Sequence, residues 1–525
     1  MFLTAIAFLA LTLVLTSFVQ RRFGEGRLVL LAGSLFFYGW LRPRYLPFVC
    51  LLVFLNWIAV YWNLRWASMF RGWIFVLLVI GDLGILALFK YSGGFAAAIG
   101  QSSTPMGDAI IPLGLSFIVF RLVSYVLDVR AEEKPADGFV DFLLYCLFFP
   151  TVLCGPLLRF EAFGGQLGEA GKIRGRDAAV GVSLIAIGMF KNLVLAPLPA
   201  AVASQIAAAG AAGTSVSFVT AWAGVFAYGL QLYFDFSGYS DAAVGVARLL
   251  GIRLPANFHS PYKARSMVEF WQRWHVSLTK MLTGYIYNPM ALAAARYTDG
   301  RGGRIVAFVA RIAVPSLIVM ALMGVWHGER VTFLMFGLYH GGLLVLNHVW
   351  RGFGGAFRKT LMSTSWWGPV AWVITLVAAM SSWAIFQATS GGVAVHGLAS
   401  LTGAGGFVVP DMYAAQLGPL AGLLRAVGVD FRPTAGLESC FPTLNDILML
   451  AGLTAVVLFA PNSNQLLSQA EPVLSGHGFP KIDAVGPTFA MRFSARAGVG
   501  IALILVVSAV SFLTNDRTTL IYFRF

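Results

Sequence analysis

Long apolar runs alternate with short basic or Gly- and Pro-rich segments along the 525 residues of the chain. A helix needs about 20 mainly apolar residues to span a bilayer, so each long run with few charges predicts one span. The pattern therefore predicts about 11 or 12 spanning helices. The runs lie at 2–20, 28–41, 46–63, 73–91, 110–128, 178–200, 214–234, 305–326, 331–350, 367–388, 444–460 and 497–514.

Three regions depart from this pattern. The run 139–160 contains Pro150 and a Gly-Pro pair, which predicts a re-entrant or broken segment whose irregular backbone must be lined by protein. Residues 231–289 are too polar to span yet rich in aromatic side chains, and they predict short helices that lie at the inner face or dip into it. The charge-free stretch 192–234 is too long for one span, and its middle, AAAGAAGTS, predicts a turn between two helices.

The composition places the chain among polytopic membrane proteins. Hydrophobic residues make up 58% and charged residues only 11%, whereas soluble domains carry about a quarter charged residues. We predict an all-α polytopic fold that forms one membrane domain over 1–525. Within it we expect N-terminal helices at 1–135, a core with the candidate site at 136–350, and C-terminal helices at 351–525 with an outer loop near 389–440.

The positive net charge of +14 is explained by cytoplasmic loops that follow the positive-inside rule. Because no soluble domain could carry a nucleic-acid surface, nucleic acid is not an expected partner. The first apolar run is followed by basic residues rather than preceded by them, which predicts an uncleaved anchor with its N-terminus outside. Following the spans then places 157–177 and 236–304 inside. The second of these carries nine Lys and Arg against three acids, while the presumed outer stretch 389–440 has two Arg against three acids.

An apolar stripe at helical spacing runs through 266–282 and consists of Trp271, His275, Leu278 and Leu282. Residues at this spacing share one face of a helix, so we predict one helix here with a buried His275. Arg265, Glu269 and Arg273 fall four residues apart on another face and can pair there.

His327 ends an apolar run and lies between Trp326 and Gly328, where a small neighbour leaves room for a substrate. An ionisable group at membrane depth is a site hypothesis by default. A buried neutral imidazole can take a proton from a hydroxyl group, as acyl transfer to an alcohol requires. Taken without further context, a histidine is more often a hydrogen-bonded core or interface residue.

The other polar residues of the apolar region favour structural interpretations. His340, in LYHGG, is interpreted as a packing residue that could assist. His348 lies about 12 Å further along a helix, so one metal ion could not bind both. We predict no metal site, because HExxH, cysteine clusters and carboxylate pairs with metal spacing are absent from the sequence. Asp235 ends the charge-free run, where it could cap the next helix, pair with an arginine or line a cavity.

The chain also lacks the motifs of two other function classes. It contains no GxSxG elbow and no Walker loop, which disfavours a covalent serine hydrolase and ATP-driven transport.

Ten strings that run nearly from end to end resemble the membrane-bound O-acyltransferase (MBOAT) family, in its bacterial branch of alginate O-acetyltransferase membrane subunits. They are SLFFYGWLRPRYL, LALFKYSGGF, IPLGLSFIVFRLVSYVLDVR, FFPTVLCGPLLRF, GMFKNLVLA, QLYFDFSGYSDAAVGVARLLGIRLPANFHSPY, EFWQRWHVSLTKML, GVWHG, LYHG and IYFRF. After GYIYNP the family usually continues with Gly-Gly-Asn-Arg, whereas this chain has MALAAARYTDGRGGR, a departure in the region that the resemblance assigns to the cytosolic donor entrance.

The resemblance implies that His327 carries an acyl transfer and that His275 assists or orients. Both imidazoles should then line one passage, reached from the cytosol by a thioester donor and from outside by an acceptor. The possible supporting residues are Trp326, Gly328, Trp274, Asp235, Arg273 and His340.

The resemblance also implies the substrates and partners of a bacterial inner-membrane, multi-pass enzyme with a periplasmic N-terminus. The co-substrate would be acetyl-CoA, with no permanently bound cofactor, and the acceptor an alginate-like or other exopolysaccharide. A separate periplasmic acetyltransferase would be a partner, and membrane lipid would surround the helices. Lys263 and Arg265 could attract the CoA phosphates, although the positive-inside bias explains them equally well.

Two alternatives stay open. One is a teichoic-acid D-alanyl transferase that uses a carrier-protein thioester. The other is a proton-coupled transporter or flippase, for which inverted repeats would be expected and none is found.

Overall fold

The computed structural model describes residues 2–65, 71–98, 111–132, 134–136, 138–211, 216–299, 303–432, 441–476 and 490–514. Helices dominate this part of the chain. They are α1 (Phe2–Phe23), α2 (Gly26–Leu41), α3 (Leu46–Arg65), α4 (Arg71–Ala98), α5 (Leu115–Glu132), α6 (Phe139–Leu147), α7 (Phe160–Gly164), α8 (Gly175–Phe190), α9 (Ala200–Ala211), α10 (Phe218–Leu249), α11 (Met267–Arg273), α12 (Val276–Leu282), α13 (Asn288–Thr298), α14 (Arg304–Phe308), α15 (Val314–His327), α16 (Val331–Phe353), α17 (Gly355–Met362), α18 (Trp367–Gln387), α19 (Gly391–Leu401), α20 (Met412–Leu417), α21 (Pro419–Ala426), α22 (Leu444–Phe459), α23 (Ser463–Leu466) and α24 (Ala495–Thr514).

Short 3₁₀ and π segments and one strand pair complete the described secondary structure. The 3₁₀ turns are Pro43–Tyr45, Leu167–Glu169, Pro261–Lys263 and Ser468–Ala470. The π-helical segments are Lys191–Leu195, Thr283–Tyr287 and Val309–Ala313. Strands β1 (Val408–Pro410) and β2 (Asp430–Arg432) pair in parallel, with Val409 opposite Phe431.

Eight helices of the described residues are long and apolar enough to cross a membrane, which confirms an all-α, multi-pass membrane protein. They are Ile6–Phe23, Pro43–Arg65, Gly72–Gly93, Gly175–Leu195, Arg304–His327, Val331–Phe353, Trp367–Gln387 and Ala495–Thr514. The predicted runs 28–41 and 444–460 form helices too short to be counted among the eight. The runs 110–128 and 214–234 contribute to α5 and α10, which mix polar side chains with apolar ones.

The chain divides into two compact units, and α10 passes from the second into the first. Unit 1 comprises Met1–Gly188, Tyr239–Asn257 and Ser463–Leu505. Unit 2 comprises Met189–Gly238, Phe258–Asn462 and Val506–Phe525. The division at 135 and 350 predicted from the sequence stays a prediction.

In unit 1 the run 139–160 is broken, as predicted. Helix α6 ends at Leu147, ahead of Pro150, and a buried non-helical stretch follows. The guanidinium of Arg121, only 2% exposed, donates to the carbonyl oxygens of Tyr145 (3.0 Å) and Cys146 (2.7 Å) and to Thr151 Oγ1 (2.6 Å). It thereby satisfies carbonyls at the end of α6 that have no partner within the helix.

In unit 2 the charge-free stretch forms two helices, as predicted, with α9 ending at Ala211 and α10 beginning at Phe218. The prediction that regular helix gives way near 231 is wrong. Helix α10 continues past Asp235, because this carboxylate is buried and accepts a hydrogen bond of 2.6 Å from Asn192 Nδ2. A charged residue with such a partner need not end a helix in an apolar setting.

Glycines bring α15 and α16 into close contact in unit 2. A Cβ at Gly324 would lie 2.2 Å from the carbonyl oxygen of Phe333, and a Cβ at Gly337 would lie 2.2 Å from that of Met320. Small residues allow membrane helices to approach to backbone contact. The hairpin holds the end of α15, where His327 lies, against the beginning of α16.

The predicted outer loop near 389–440 is folded in its described part, 389–432. It contains α19, α20, α21 and both strands. Its position relative to the membrane stays a prediction, and residues 433–440 lie outside the described residues.

Candidate active site

His275 lies at a sharp turn between α11 and α12, so the prediction of one continuous helix over 266–282 is wrong. Its φ of 43° is left-handed, a conformation that interrupts an α-helix and that histidine adopts more readily than most residues. Ser266 caps the start of α11 by accepting from the backbone N–H of Glu269 (3.1 Å). The predicted stripe therefore does not exist as a helix face, although His275 is buried as predicted, at 3% exposure.

The His275 imidazole packs against aromatic rings. The ring of Phe236 lies 4.8 Å away between centroids, at 89°, and the ring of Phe258 lies 6.5 Å away. Burial lowers the pKa of His275 from 6.5 to about 3. The imidazole is therefore neutral near pH 7, with one nitrogen that donates and one that accepts.

His327 is the last residue of α15 and is half-buried. Its ring lies within 4.8 to 6.4 Å, between centroids, of the rings of Trp326, Phe333, Phe336 and Phe386. Gly328 follows with φ 157° and ψ −176°, a combination essentially restricted to glycine. A Cβ there would lie 2.9 Å from the ring of Phe333. The glycine predicted to leave room for a substrate thus also leaves room for Phe333.

The structure brings the two imidazoles to one cavity inside unit 2, whereas the passage to both membrane faces that the resemblance implies stays a prediction. We call this cavity the histidine cavity. Its volume is about 20 Å³, enough for roughly one water molecule. It is lined by Leu232, Phe236, Trp271, Trp274, His275, Leu278, Met323, His327, Phe336, Trp383 and Phe386.

Two larger cavities also lie in unit 2. One of about 380 Å³ lies among α9, α10, α18 and α19 and includes Ala384 and Gln387. The other, of about 270 Å³, lies among α11, α12, α15 and α16 and shares Trp271 and Met323 with the histidine cavity.

The predicted supporting residues differ in their relation to the histidine cavity. Trp274 lines it and packs on Trp383 at 5.1 Å between ring centroids. Arg273 is not among its lining residues. Its guanidinium pairs with Glu269 at 2.7 Å and donates to the carbonyl of His259 at 3.2 Å. The predicted pairing on this face is confirmed for Arg273, whereas Arg265 contacts Glu269 through its backbone N–H (2.8 Å).

Lys263 and Arg265, the candidate CoA contacts, have different environments. The ammonium group of Lys263 donates to the carbonyl of Ala460 at 2.7 Å. Burial, with a smaller contribution from Arg273, lowers the pKa of Lys263. The side chain of Arg265 is exposed and is therefore accessible to a phosphate group. The role of both residues stays a prediction.

His340 packs inside unit 2, as predicted. It is fully buried, its Nδ1 accepts from the indole N–H of Trp271 at 3.3 Å, and its ring lies 4.6 Å from that of Phe336. Trp271 and Phe336 both line the histidine cavity, whereas His340 does not. His340 therefore packs against the side of these two residues that faces away from the cavity.

Asp235 does not cap a helix, and that prediction is wrong because the residue lies within α10. One of its partners is the amide of Asn192, and it is not among the residues that line the histidine cavity. Within the described residues, no group of three or more His, Cys, Asp or Glu side chains could hold a metal ion.

Much of the cavity wall was not singled out from the sequence. Phe336, Trp383 and Phe386 lie in ordinary apolar runs that give no sign of a site. Trp271 carried a signal, its position in the aromatic segment four residues before His275.

Comparison with known proteins identifies the family. The model of the MBOAT, membrane-bound O-acyltransferase, family matches residues 45–384. The "Probable alginate O-acetylase AlgI" of Azotobacter vinelandii is 33% identical over 402 residues, which cover 74% of this chain and 75% of that protein. The "Peptidoglycan O-acetyltransferase" of Helicobacter pylori is 28% identical over 411 residues, covering 72% and 74%. The "Teichoic acid D-alanyltransferase" of Streptococcus thermophilus is 31% identical over 289 residues, covering 52% and 68%. The chain therefore belongs to the membrane-bound O-acyltransferase family and is a multi-pass membrane acyltransferase.

Proposed function

We propose that this protein is a bacterial inner-membrane O-acetyltransferase that moves acetyl groups from cytosolic acetyl-CoA towards hydroxyl groups of an extracytoplasmic polysaccharide. The observation that carries the proposal is the single cavity lined by His275 and His327. The relatives named as alginate and peptidoglycan O-acetylating proteins support acetyl as the transferred group.

In the proposed reaction His327 acts as the general base. It takes the proton of the acceptor hydroxyl, whose oxygen attacks the carbonyl carbon of the thioester. The tetrahedral oxyanion is stabilised by an N–H donor, a role that the neutral imidazole of His275 can fill. Collapse breaks the carbon–sulfur bond, the thiolate takes the proton from His327, and the ester and free CoA leave.

The small volume and aromatic lining of the histidine cavity favour transfer over hydrolysis. With a volume of about 20 Å³, the histidine cavity holds little beyond one water molecule, so the substrates enter by displacing side chains. Excluding bulk water strengthens the interactions with the developing charge and protects the thioester.

The proposed orientation has the N-terminus in the periplasm and the basic stretch 236–304 in the cytoplasm. CoA, which is highly charged, would then stay in the cytosol while the acetyl group crosses to the acceptor. A periplasmic acetyltransferase would be the partner that passes the acetyl group to the final polymer.

Sealed inside-out vesicles with labelled acetyl-CoA outside, and a polysaccharide together with periplasmic extract inside, test the proposal. We expect labelled ester on the internal polymer from the wild type and at most a trace from His327→Ala. His259→Ala is the matched control, because His259 is absent from the lining of the three cavities described above. Labelled acetate inside the vesicles without any ester would support transport and refute the transferase.

A carrier-protein donor is a second candidate, because the D-alanyltransferase relative covers half of this chain. An immobilised acidic carrier protein charged with a thioester would then bind the membranes and donate its acyl group. Transfer from that carrier with no use of acetyl-CoA would favour this function over the first.

A further inference from the structure

Trp271 and Met323 separate the histidine cavity from the larger cavity among α11, α12, α15 and α16, which we call the apolar cavity. Both residues line both spaces. The apolar cavity has a volume of about 270 Å³, close to the lower end of the range for small-molecule sites. A space of this size therefore lies directly behind one wall of the proposed active site.

Trp271 is held firmly in this wall. It is 5% exposed, and its indole N–H donates to Nδ1 of the fully buried His340 at 3.3 Å. The two rings meet edge to face, with centroids 5.0 Å apart. Because Nδ1 accepts this bond, the imidazole carries its proton on Nε2. Met323 is flexible by nature, so Trp271 is the rigid part of the partition.

The lining of the apolar cavity fits a hydrocarbon chain. Most of its surface is apolar and comes from residues such as Val268, Leu282, Val319, Met320 and Leu344. Polar side chains also line it, namely Gln272, Thr279, Thr283, Tyr287, Ser316 and His348, but neither lysine nor arginine is among its described lining residues. A space without cationic side chains is poorly suited to CoA phosphates. It is suited to methylene groups, whose transfer from water into an apolar space is favourable.

We propose that Trp271, positioned by His340, sets the acyl-chain length that this enzyme accepts. With the indole in place, the histidine cavity takes only a short acyl group when its other side chains move aside. Removal of the indole joins the two cavities, and the apolar cavity then takes the tail of a longer acyl group. The inference rests on the proposed function, because it concerns the donor of that reaction.

The test compares acetyl-CoA, butyryl-CoA and hexanoyl-CoA as donors to the same acceptor. For Trp271→Ala we expect the ratio of hexanoyl to acetyl transfer to rise at least about tenfold over the wild type, as expected for extra methylenes in an apolar pocket. Trp372→Ala is the matched control. Its indole donates to the carbonyl of Tyr262 at 2.9 Å and contributes to neither cavity, so its ratio should equal that of the wild type.

His340→Phe tests the positioning role. It keeps an aromatic ring but removes the acceptor for the indole, so we expect a smaller shift of the ratio in the same direction. His340→Gln, whose side-chain oxygen can accept the indole N–H, should restore part of the wild-type ratio. A variant that is only less stable should transfer acyl groups from all donors more slowly by the same factor. The ratio of hexanoyl to acetyl transfer therefore separates a change of chain-length preference from a loss of stability. Trp271→Leu provides a second truncation if Trp271→Ala does not accumulate.

Two failures are distinguishable. If the Trp271 variants transfer acetyl but keep the wild-type donor ratio, the chain-length role is wrong and the proposed function stands. If the wild type forms no ester from any acyl-CoA, the proposed function fails and the chain-length role fails with it.

Discussion

Gly328→Ala should disturb the histidine cavity while leaving most of the protein folded. The backbone at Gly328, with φ 157° and ψ −176°, costs about 1–3 kcal/mol for a residue with a Cβ. The added methyl would also lie 2.9 Å from the Phe333 ring, which packs 6.0 Å from the His327 ring. If the strain appears as displacement of His327, acetyl transfer falls by roughly 5- to 150-fold, at 1.4 kcal/mol for each factor of ten.

The assay is acetyl transfer in vesicles together with the melting temperature of the purified protein. The control is Gly342→Ala in α16, because no atom beyond the neighbouring backbone of its own helix lies within 4 Å of its Cβ position and alanine favours a helix. The control should keep full activity and an equal or higher melting temperature. Wild-type rate and melting temperature for Gly328→Ala would refute the strain argument at this turn.

Three further predictions concern stability. Gly337→Ala should lower the free energy of unfolding by about 1–3 kcal/mol and lower the melting temperature, because its Cβ would lie 2.2 Å from the Met320 carbonyl oxygen. An unchanged melting temperature would show that α15 and α16 can move apart without strain. Arg121→Met removes three hydrogen bonds of a buried guanidinium and should lower the free energy of unfolding by about 3 kcal/mol, with Arg121→Lys rescuing only in part. The folded pKa of His275, about 3, lies below the reference value of 6.5, so the unfolded state binds the extra proton between these pH values. The contribution of His275 to the free energy of unfolding is therefore complete above pH 6.5, and it decreases by up to about 1.4 kcal/mol for each pH unit below 6.5. His275→Leu should make the melting temperature depend less on pH, and an unchanged dependence would contradict this.

The hydrophobic pattern was sufficient for the features that depend on local sequence. It predicted the all-α membrane fold, the break before Pro150 and the division of the charge-free stretch into two helices, α9 and α10. It failed where a hydrogen-bond partner distant in sequence lowers the free-energy cost of burying a polar side chain within a helix. The Asp235 carboxylate stays inside α10 because Asn192, 43 residues away in sequence, donates to it, and no local pattern records that contact.

The candidate site shows the same limit. The family resemblance pointed to His275 and His327, but helical periodicity gave the wrong reason for the burial of His275. The segment around it has neither Gly nor Pro to announce a turn, and the left-handed φ of 43° became visible only in the structure. The opposite wall comes from Trp383 and Phe386 of α18, which tertiary packing alone brings to the imidazoles.

Acyl transfer at the histidine cavity is tested most directly by the rate at which purified His327→Gln and His275→Gln proteins form acetyl ester on an added polysaccharide, compared with His259→Gln. We expect His327→Gln to lose at least about 100-fold, within the range for a general base. His275→Gln should lose less, because its amide can still donate to the oxyanion, and His259→Gln should match the wild type. A wild-type rate for His327→Gln, with unchanged melting temperature, would contradict acyl transfer at the histidine cavity.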